Sequence, residues 1–336
     1  EDMSFPVKGY PVIRKRRNRR TEFIRNLTSE LNLSANDLIL PIFLTKGKNK
    51  KQKILSMDNV FRYSIDSAIK TLSQALEIGI HTTILFPYVE SNQKQLDAAE
   101  AHNPDGLIQK AITKIKSELP ELGIITDIAL DPFTTHGHDG ILNEDGEIDN
   151  EITIDILKKQ AITHANAGAD ILAPSDMMDG RIGILRGFLD ANRFENINLL
   201  SYSAKFASSF YGPFRDAVGS SSSLGQADKK TYQMNPANHD ESLHEAWHDI
   251  NEGADMIMVK PGMPYLDILA SLKKEFKVPT FVYQVSGEYA MLLSLSNKDP
   301  EALKNIVLES MVCFKRSGAD AIVTYYAEDI AKWLNS

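Results

Sequence analysis

Two lysines stand at the ends of apolar runs. Asn198–Ala204 leads into Lys205, and Met256-Ile257-Met258-Val259 leads into Lys260. Desolvating an ammonium is costly, so a lysine in such a place is either paired or has a lowered pKa. If the two runs are neighbouring strands, roughly 4.8 Å apart, the ammoniums repel and at least one stays neutral near pH 7. A neutral amine is the nucleophile that condenses with a ketone or aldehyde to a Schiff base. The competing reading is that each lysine holds a substrate anion or pairs with Asp127 or Asp176.

Other polar residues also close apolar runs. Asp127 leads into Asp131-Pro132-Phe133-Thr134-Thr135-His136-Gly137-His138-Asp139. That segment reads either as a metal or amine site, or as a solvated loop whose aspartates cap turns. Ser175 and Asp176, Ser286, and Tyr325 end three further runs. Glu245 and Asp249 are four residues apart, hence on one helical face. They could share a hydrated magnesium, although spacing alone favours a solvated acidic face.

The elements that must carry these residues show a weak repeat. Gly79, Gly123, Gly168, Gly253 and Gly318 each precede a short apolar run. Each such glycine is read as a left-handed helix cap that turns the chain into a strand. The runs are continuous rather than alternating, as in parallel strands covered on both faces. With Leu38–Leu44, Asn198–Ala204 and 279–285 added, eight strands alternate with helical stretches such as 65–78, 155–167 and 300–317. The expected fold is α/β, a (β/α)8 TIM barrel, with an open doubly wound sheet as the alternative. Residues 1–35 are expected to form an arm and residues 36–336 the barrel. The irregular stretch 212–238 follows a strand's C-terminal end and is read as a lid.

Composition narrows the function classes. The 336 residues are 43% apolar and 24% charged, with a net charge of −8. That balance argues against nucleic acid as a partner. The basic run Arg14-Lys15-Arg16-Arg17-Asn18-Arg19-Arg20 is the exception, readable as a nucleic-acid patch or transit sequence but better as an arm packing on another subunit. A single cysteine, Cys313, permits no intrachain disulfide and no multi-thiolate zinc site. No run of about 18 apolar residues offers a membrane span, and the N-terminus lacks a secretory signal's apolar stretch. The expected location is cytoplasmic; an upstream targeting segment would redirect the chain to an organelle such as a plastid.

Several long stretches resemble one family. They are Tyr202-Ser203-Ala204-Lys205-Phe206-Ala207-Ser208-Ser209-Phe210-Tyr211-Gly212-Pro213-Phe214-Arg215-Asp216-Ala217 and Met258-Val259-Lys260-Pro261-Gly262, together with 173–181, 231–238 and 283–289. They resemble the porphobilinogen synthases, also called 5-aminolevulinate dehydratases, and the similarity covers nearly the whole chain. The resemblance implies condensation of two 5-aminolevulinates to porphobilinogen with loss of two waters, an early step of tetrapyrrole (haem and chlorophyll) biosynthesis. It implies Schiff bases on both lysines: Lys260 with the propionate-side substrate, Lys205 with the acetate-side one. It assigns Arg215, Lys229 and Gln233 to the acetate-side carboxylate, and Ser286 and Tyr325 to the other. Asp127, Ser175 and Asp139 would hold the free amine, with Phe214 also against substrate.

One departure concerns metal. Zinc-dependent members have cysteines at the positions of Ala129, Asp131 and Asp139, and this chain has none there. No catalytic zinc is expected, because carboxylates favour harder cations. The resemblance is to the aspartate-rich, magnesium-responsive branch, with allosteric magnesium on Glu245, Asp249 reaching it through water, and Asp131 as a further candidate ligand. A monovalent cation is also compatible. The family implies a homo-octamer held by the N-terminal arm, with a smaller oligomer as the alternative state. The competing functions are a class I aldolase-like barrel acting on a keto acid and a non-catalytic assembly or metal-binding scaffold.

Overall fold

The apolar runs pair edge to edge in chain order until the last meets the first. The computed structural model describes residues 9–219 and 228–336. Among the described residues, and apart from four short strands in the loops, its strands are β1 (Leu38–Leu44), β2 (Thr82–Pro87), β3 (Gly123–Ile128), β4 (Ile171–Pro174), β5 (Asn198–Lys205), β6 (Met256–Lys260), β7 (Thr280–Tyr283) and β8 (Ala321–Val323). Each pairs in parallel with the next. Then β8 returns to β1, with Leu38 opposite Ile322 and Ile39 opposite Val323. That last pairing closes the (β/α)8 barrel and excludes the open sheet.

A helix follows each strand: Ile65–Glu77, Leu107–Glu118, Asn150–Ala167, Arg181–Ala191, Asp240–Glu252, Leu266–Phe276, Pro300–Arg316 and Ala327–Asn335. Each lays an apolar stripe on the sheet. In Ile65–Glu77 the stripe is Ala68, Ile69, Leu72 and Ala75, and burying a leucine such as Leu72 contributes about 1.5–3 kcal/mol. Gly168 and Gly253 cap their helices with φ of 105° and 110°, as expected. Gly123 does not: it opens β3 opposite Thr82, and the preceding helix has already stopped at Glu118. The third of these helices starts at Asn150 rather than Asp155, because the Asp149 side chain accepts the Ile152 N–H.

One irregularity positions the chemistry. Ser201 lies opposite Ile257 and Ala204 opposite Val259, so three steps along β5 match two along β6. This is a β-bulge. Ser201 faces the outer helices, where it meets Arg181 at 3.1 Å and Asp249 at 2.6 Å. Strict alternation would send Lys205 the same way. The extra residue reverses the parity and turns Lys205 into the barrel mouth, beside Lys260.

The chain divides into two compact units, Glu1–Leu33 and Ser34–Ser336. The first has a 3-10 turn, Lys15–Arg19, and a short helix, Glu22–Leu27, with Tyr10, Phe23 and Leu27 exposed. In the second, Ser34 and Asp37 cap the turn that enters β1, the Ser34 N–H donating to Asp37 at 2.8 Å. Of the expected lid 212–238, residues 220–227 lie outside the described residues. Gly212–Ala217 is helical rather than irregular. No helix among the described residues is long and apolar enough to cross a membrane.

Candidate active site

The ends of β5 and β6 put Lys205 directly opposite Lys260. Both are buried, at 6% and 5% exposure. Lys205 Nζ donates to the Ser175 carbonyl at the end of β4 and sits 3.6 Å from Asp139 Oδ2. Lys260 has no ion pair among the described residues. Its Nζ lies instead among four rings, 4.5 Å from the centroid of Tyr283, 4.7 Å from Phe214, 5.3 Å from Tyr211 and 5.4 Å from Tyr202. Burial, reinforced by the Lys205 charge, lowers its pKa to about 7. A substantial fraction of this amine is therefore neutral at neutral pH, as nucleophilic attack requires. The rings would favour the cation formed once an iminium exists.

A second lysine-carboxylate cluster closes the chamber beside Lys205. Lys229 Nζ lies 2.9 Å from Asp139 Oδ1 and 3.3 Å from Asp131 Oδ2. Burial alone would raise Asp139, but Lys205 and Lys229 outweigh it and hold this carboxyl well below its ordinary value. Asp127 goes the other way: burial raises it to about 7, against the opposing pull of Lys205. Lys229 is held over the lysines because its segment is stitched to β5, with Met234 N donating to Lys205 O at 3.0 Å and Ala207 N to Met234 O at 2.8 Å. Tyr232 accepts the Asp139 N–H at 3.2 Å and touches His138 Nδ1 at 3.1 Å. Asp127 Oδ1, Asp139 Oδ2, Gln233 Oε1 and the Tyr202 hydroxyl are buried without a hydrogen-bond partner among the described residues. Such orphans are rare in a finished core and mark groups that await a polar ligand.

The opposite side presents hydroxyls. Ser286 Oγ accepts the Phe214 N–H at 2.9 Å, which ties the helix Gly212–Ala217 to β7 and leaves the serine proton to donate. Tyr325 lies just past β8, its hydroxyl 2.8 Å from that of Tyr283. Arg215 is half-buried on the same short helix, and its charge reaches the phenols of Tyr211 and Tyr232. Glu288 is fully buried behind Ser286. Burial raises its carboxyl to about 7, opposed by N–H groups of Met263, Val285 and Gly262.

Glu245 and Asp249 are not part of this chamber. Glu245 lines a separate cleft of about 780 Å³ with Asp179, Asn238 and Glu241, and Tyr232 and Gln233 form its inner wall. Burial, with Asp249 behind it, raises the Glu245 carboxyl. Asp249 turns inward, with Oδ2 on Ser201 and Oδ1 3.4 Å from Arg181. Its oxygens are thus engaged in the barrel wall, and a shared face does not make an open pair with Glu245. Between Asp131 and Asp139 the Lys229 ammonium stands where a cation would stand, so a metal fits that pair poorly. Among the described residues no three His, Cys, Asp or Glu side chains are grouped to hold a metal. A larger cleft of about 900 Å³, bordered by Asp66, Lys70, Lys110 and Lys114, lies on the outer helices away from this chemistry.

Sequence reasoning passed over Tyr202, Tyr211, Tyr232, Tyr283 and Glu288. The tyrosines were visible within the quoted stretches, but only the closed barrel gathers three of them around one amine. Glu288 follows Ser286 by two residues, a spacing that carries no signal until the loop is folded.

The chain is similar over most of its length to known proteins. The family model for delta-aminolevulinic acid dehydratase matches residues 12–333. The delta-aminolevulinic acid dehydratase of Bradyrhizobium diazoefficiens is 47% identical over 325 residues, covering 97% of this chain and 92% of that protein. The one from Rhodobacter capsulatus is 47% identical over 334 residues, covering 99% of this chain and 100% of that protein. A crystal structure of the Toxoplasma gondii delta-aminolevulinic acid dehydratase (porphobilinogen synthase), in complex with the reaction product porphobilinogen, superposes with a TM-score of 0.93 at 46% identity, covering 96% of this chain and 91% of that one. A closed barrel with paired lysines, matched over almost its whole length, belongs to the delta-aminolevulinic acid dehydratase family.

Proposed function

We propose that this chain condenses two molecules of 5-aminolevulinate to porphobilinogen with loss of two waters. The observation that carries this reading is the pair of buried lysines on adjacent strands, with separate polar groups on either side. Each substrate has a ketone, and each lysine amine can convert one to an iminium with release of water. The iminium acidifies the neighbouring carbon and permits carbon–carbon bond formation. Lys260, neutral in part near pH 7, takes the propionate-side substrate, whose carboxylate accepts from Ser286 Oγ and Tyr325 OH. Lys205 takes the acetate-side substrate, gripped by Arg215, Lys229 and Gln233. Asp127, Ser175 and Asp139 hold that substrate's free amine, and Asp127 is tuned to pass a proton near neutral pH. Phe214 covers the pair. Holding both reactants in one chamber contributes much of the acceleration.

The assignment is tested by supplying 5-aminolevulinate and measuring porphobilinogen. Absence of product, with aldol cleavage of a keto acid instead, would sink it in favour of an aldolase.

The donor chemistry bears on metal. Ala129, Asp131 and Asp139 supply no thiolate, and the Lys205 and Lys229 ammoniums already compensate the two aspartates, so catalytic zinc does not fit. The oxygen-rich cleft at Glu245 fits a hydrated magnesium, which keeps most of its waters and takes few carboxylates. Chelator followed by magnesium is expected to restore a stimulated rate, and zinc is not. Glu245→Ala is expected to lose the magnesium increment while keeping the metal-free rate. Full stimulation in that variant would move the cation elsewhere. Residues 36–336 serve as the catalytic domain, and residues 1–35, with their exposed Tyr10, Phe23 and Leu27, as the arm of a homo-octamer.

A further inference from the structure

Glu288 is buried with no ion pair among the described residues, yet both its oxygens are occupied. Oε2 accepts the Val285 N–H at 2.7 Å and the Gly262 N–H at 3.1 Å. Oε1 accepts the Met263 N–H at 2.5 Å. The donors come from two loops. Gly262 and Met263 follow Lys260 at the end of β6, and Val285 precedes Ser286 at the end of β7. Two sets of N–H donors cannot bond each other; the Glu288 carboxylate joins them, Oε2 alone taking one donor from each loop. Glycines beside these contacts let the surrounding chain pack closely. A Cβ on Gly262 would come within 2.7 Å of the Phe314 ring, and one on Gly287 would collide with the Phe210 carbonyl.

We propose that Glu288 is a positioning residue that sets the separation between the Lys260 amine and the Ser286 hydroxyl, and so measures the distance from ketone to carboxylate in the substrate. The inference rests on the assignment of Lys260 and Ser286 to one substrate. It adds a specificity device: a 4-oxo acid spans the two groups, and a ketone without a carboxylate ignores the spacing. Gln at 288 keeps the shape but can accept with only one of its two end atoms, so its N–H₂ faces an N–H donor and at least one of the three bonds is lost, which loosens the two loops.

The test is borohydride trapping at Lys260, located by peptide mass, with levulinate and with 2-butanone. Wild type is expected to trap levulinate preferentially. In Glu288→Gln the preference falls by roughly 100-fold, the cost of a misplacement of about 1 Å, while the 2-butanone rate holds. Glu288→Asp, which keeps the charge and shortens the reach, serves if the glutamine variant does not fold. A folded variant that keeps the preference overturns the proposal, as does one that loses both ketones equally. Wild type that traps neither ketone overturns the Schiff-base assignment itself, and Glu288's role with it.

Discussion

Lys260→Ala is expected to lose product formation by roughly 10⁵-fold, the advantage of a nucleophile held against its target, without a change in oligomer size. The amine has no substitute within reach: Lys205 is engaged with Ser175 and Asp139. The pH dependence follows from burial. With its pKa lowered to about 7, Lys260 is mostly protonated below that pH, and its trapping rate in wild type should fall about tenfold per unit below it. An ordinary lysine would show that slope up to about 10.4. The same shift works against stability. The folded state binds fewer protons than the unfolded chain between about 7 and the ordinary value. The cost is therefore full below about 7 and is relieved as pH rises through that window. Product assay, trapping and size-exclusion chromatography together decide the role; near-wild-type turnover in the alanine variant removes it.

Asp139→Asn is expected to destabilise the fold by about 3–5 kcal/mol, the range for breaking a buried ion pair by removing one partner. Asp139 has Lys205 on one oxygen and Lys229 on the other. Neutralising it leaves two buried ammoniums facing each other, with Asp131 and Asp127 as remaining acids nearby and Asp176 committed to Arg181. Asp127 is a weak substitute, since burial keeps its carboxyl near 7. Because Asp139 is held below the ordinary carboxylate range, its stabilisation is present above the unfolded pKa of about 3.9 and is lost only as pH falls through its lower folded value. Denaturant unfolding at pH 7 measures the effect. A loss below about 1 kcal/mol, typical of exposed pairs, would show that the cluster is already solvated.

Much of the barrel is legible in the sequence because parallel strands are uniformly apolar and helix ends carry glycine. β1 and β4 end where their composition says they should. The strand boundaries at Tyr283 and Val323 fall short of the expected ones, although the Gln284 N–H still donates to the Val323 carbonyl at 2.9 Å and the Thr324 N–H to the Ile39 carbonyl at 3.3 Å. The lysines are legible because a charge closing an apolar run is costly. Glu245 and Asp249 show the limit of helical spacing. A four-residue interval places both on one face, but the face is wide enough for one to look into a cleft and the other into the wall. Spacing also could not pair Lys229 with Asp131 and Asp139, which are about 90 or more residues apart in the chain.

The bulge in β5 makes the length of that strand a functional quantity. Ser201 and Lys205 have the same parity by number but opposite duties, one bonded to the outer helices and the other facing the chamber. A substitution along the stretch alters one side chain's contacts and leaves the direction of its neighbours unchanged. The count of residues cannot change. A deletion of one residue before Lys205 would restore the regular ladder, rotate the amine into the helix layer, and leave Lys260 without the neighbouring charge that helps keep it neutral. The site is therefore more tolerant of substitution than of a single codon gained or lost between Ser201 and Lys205.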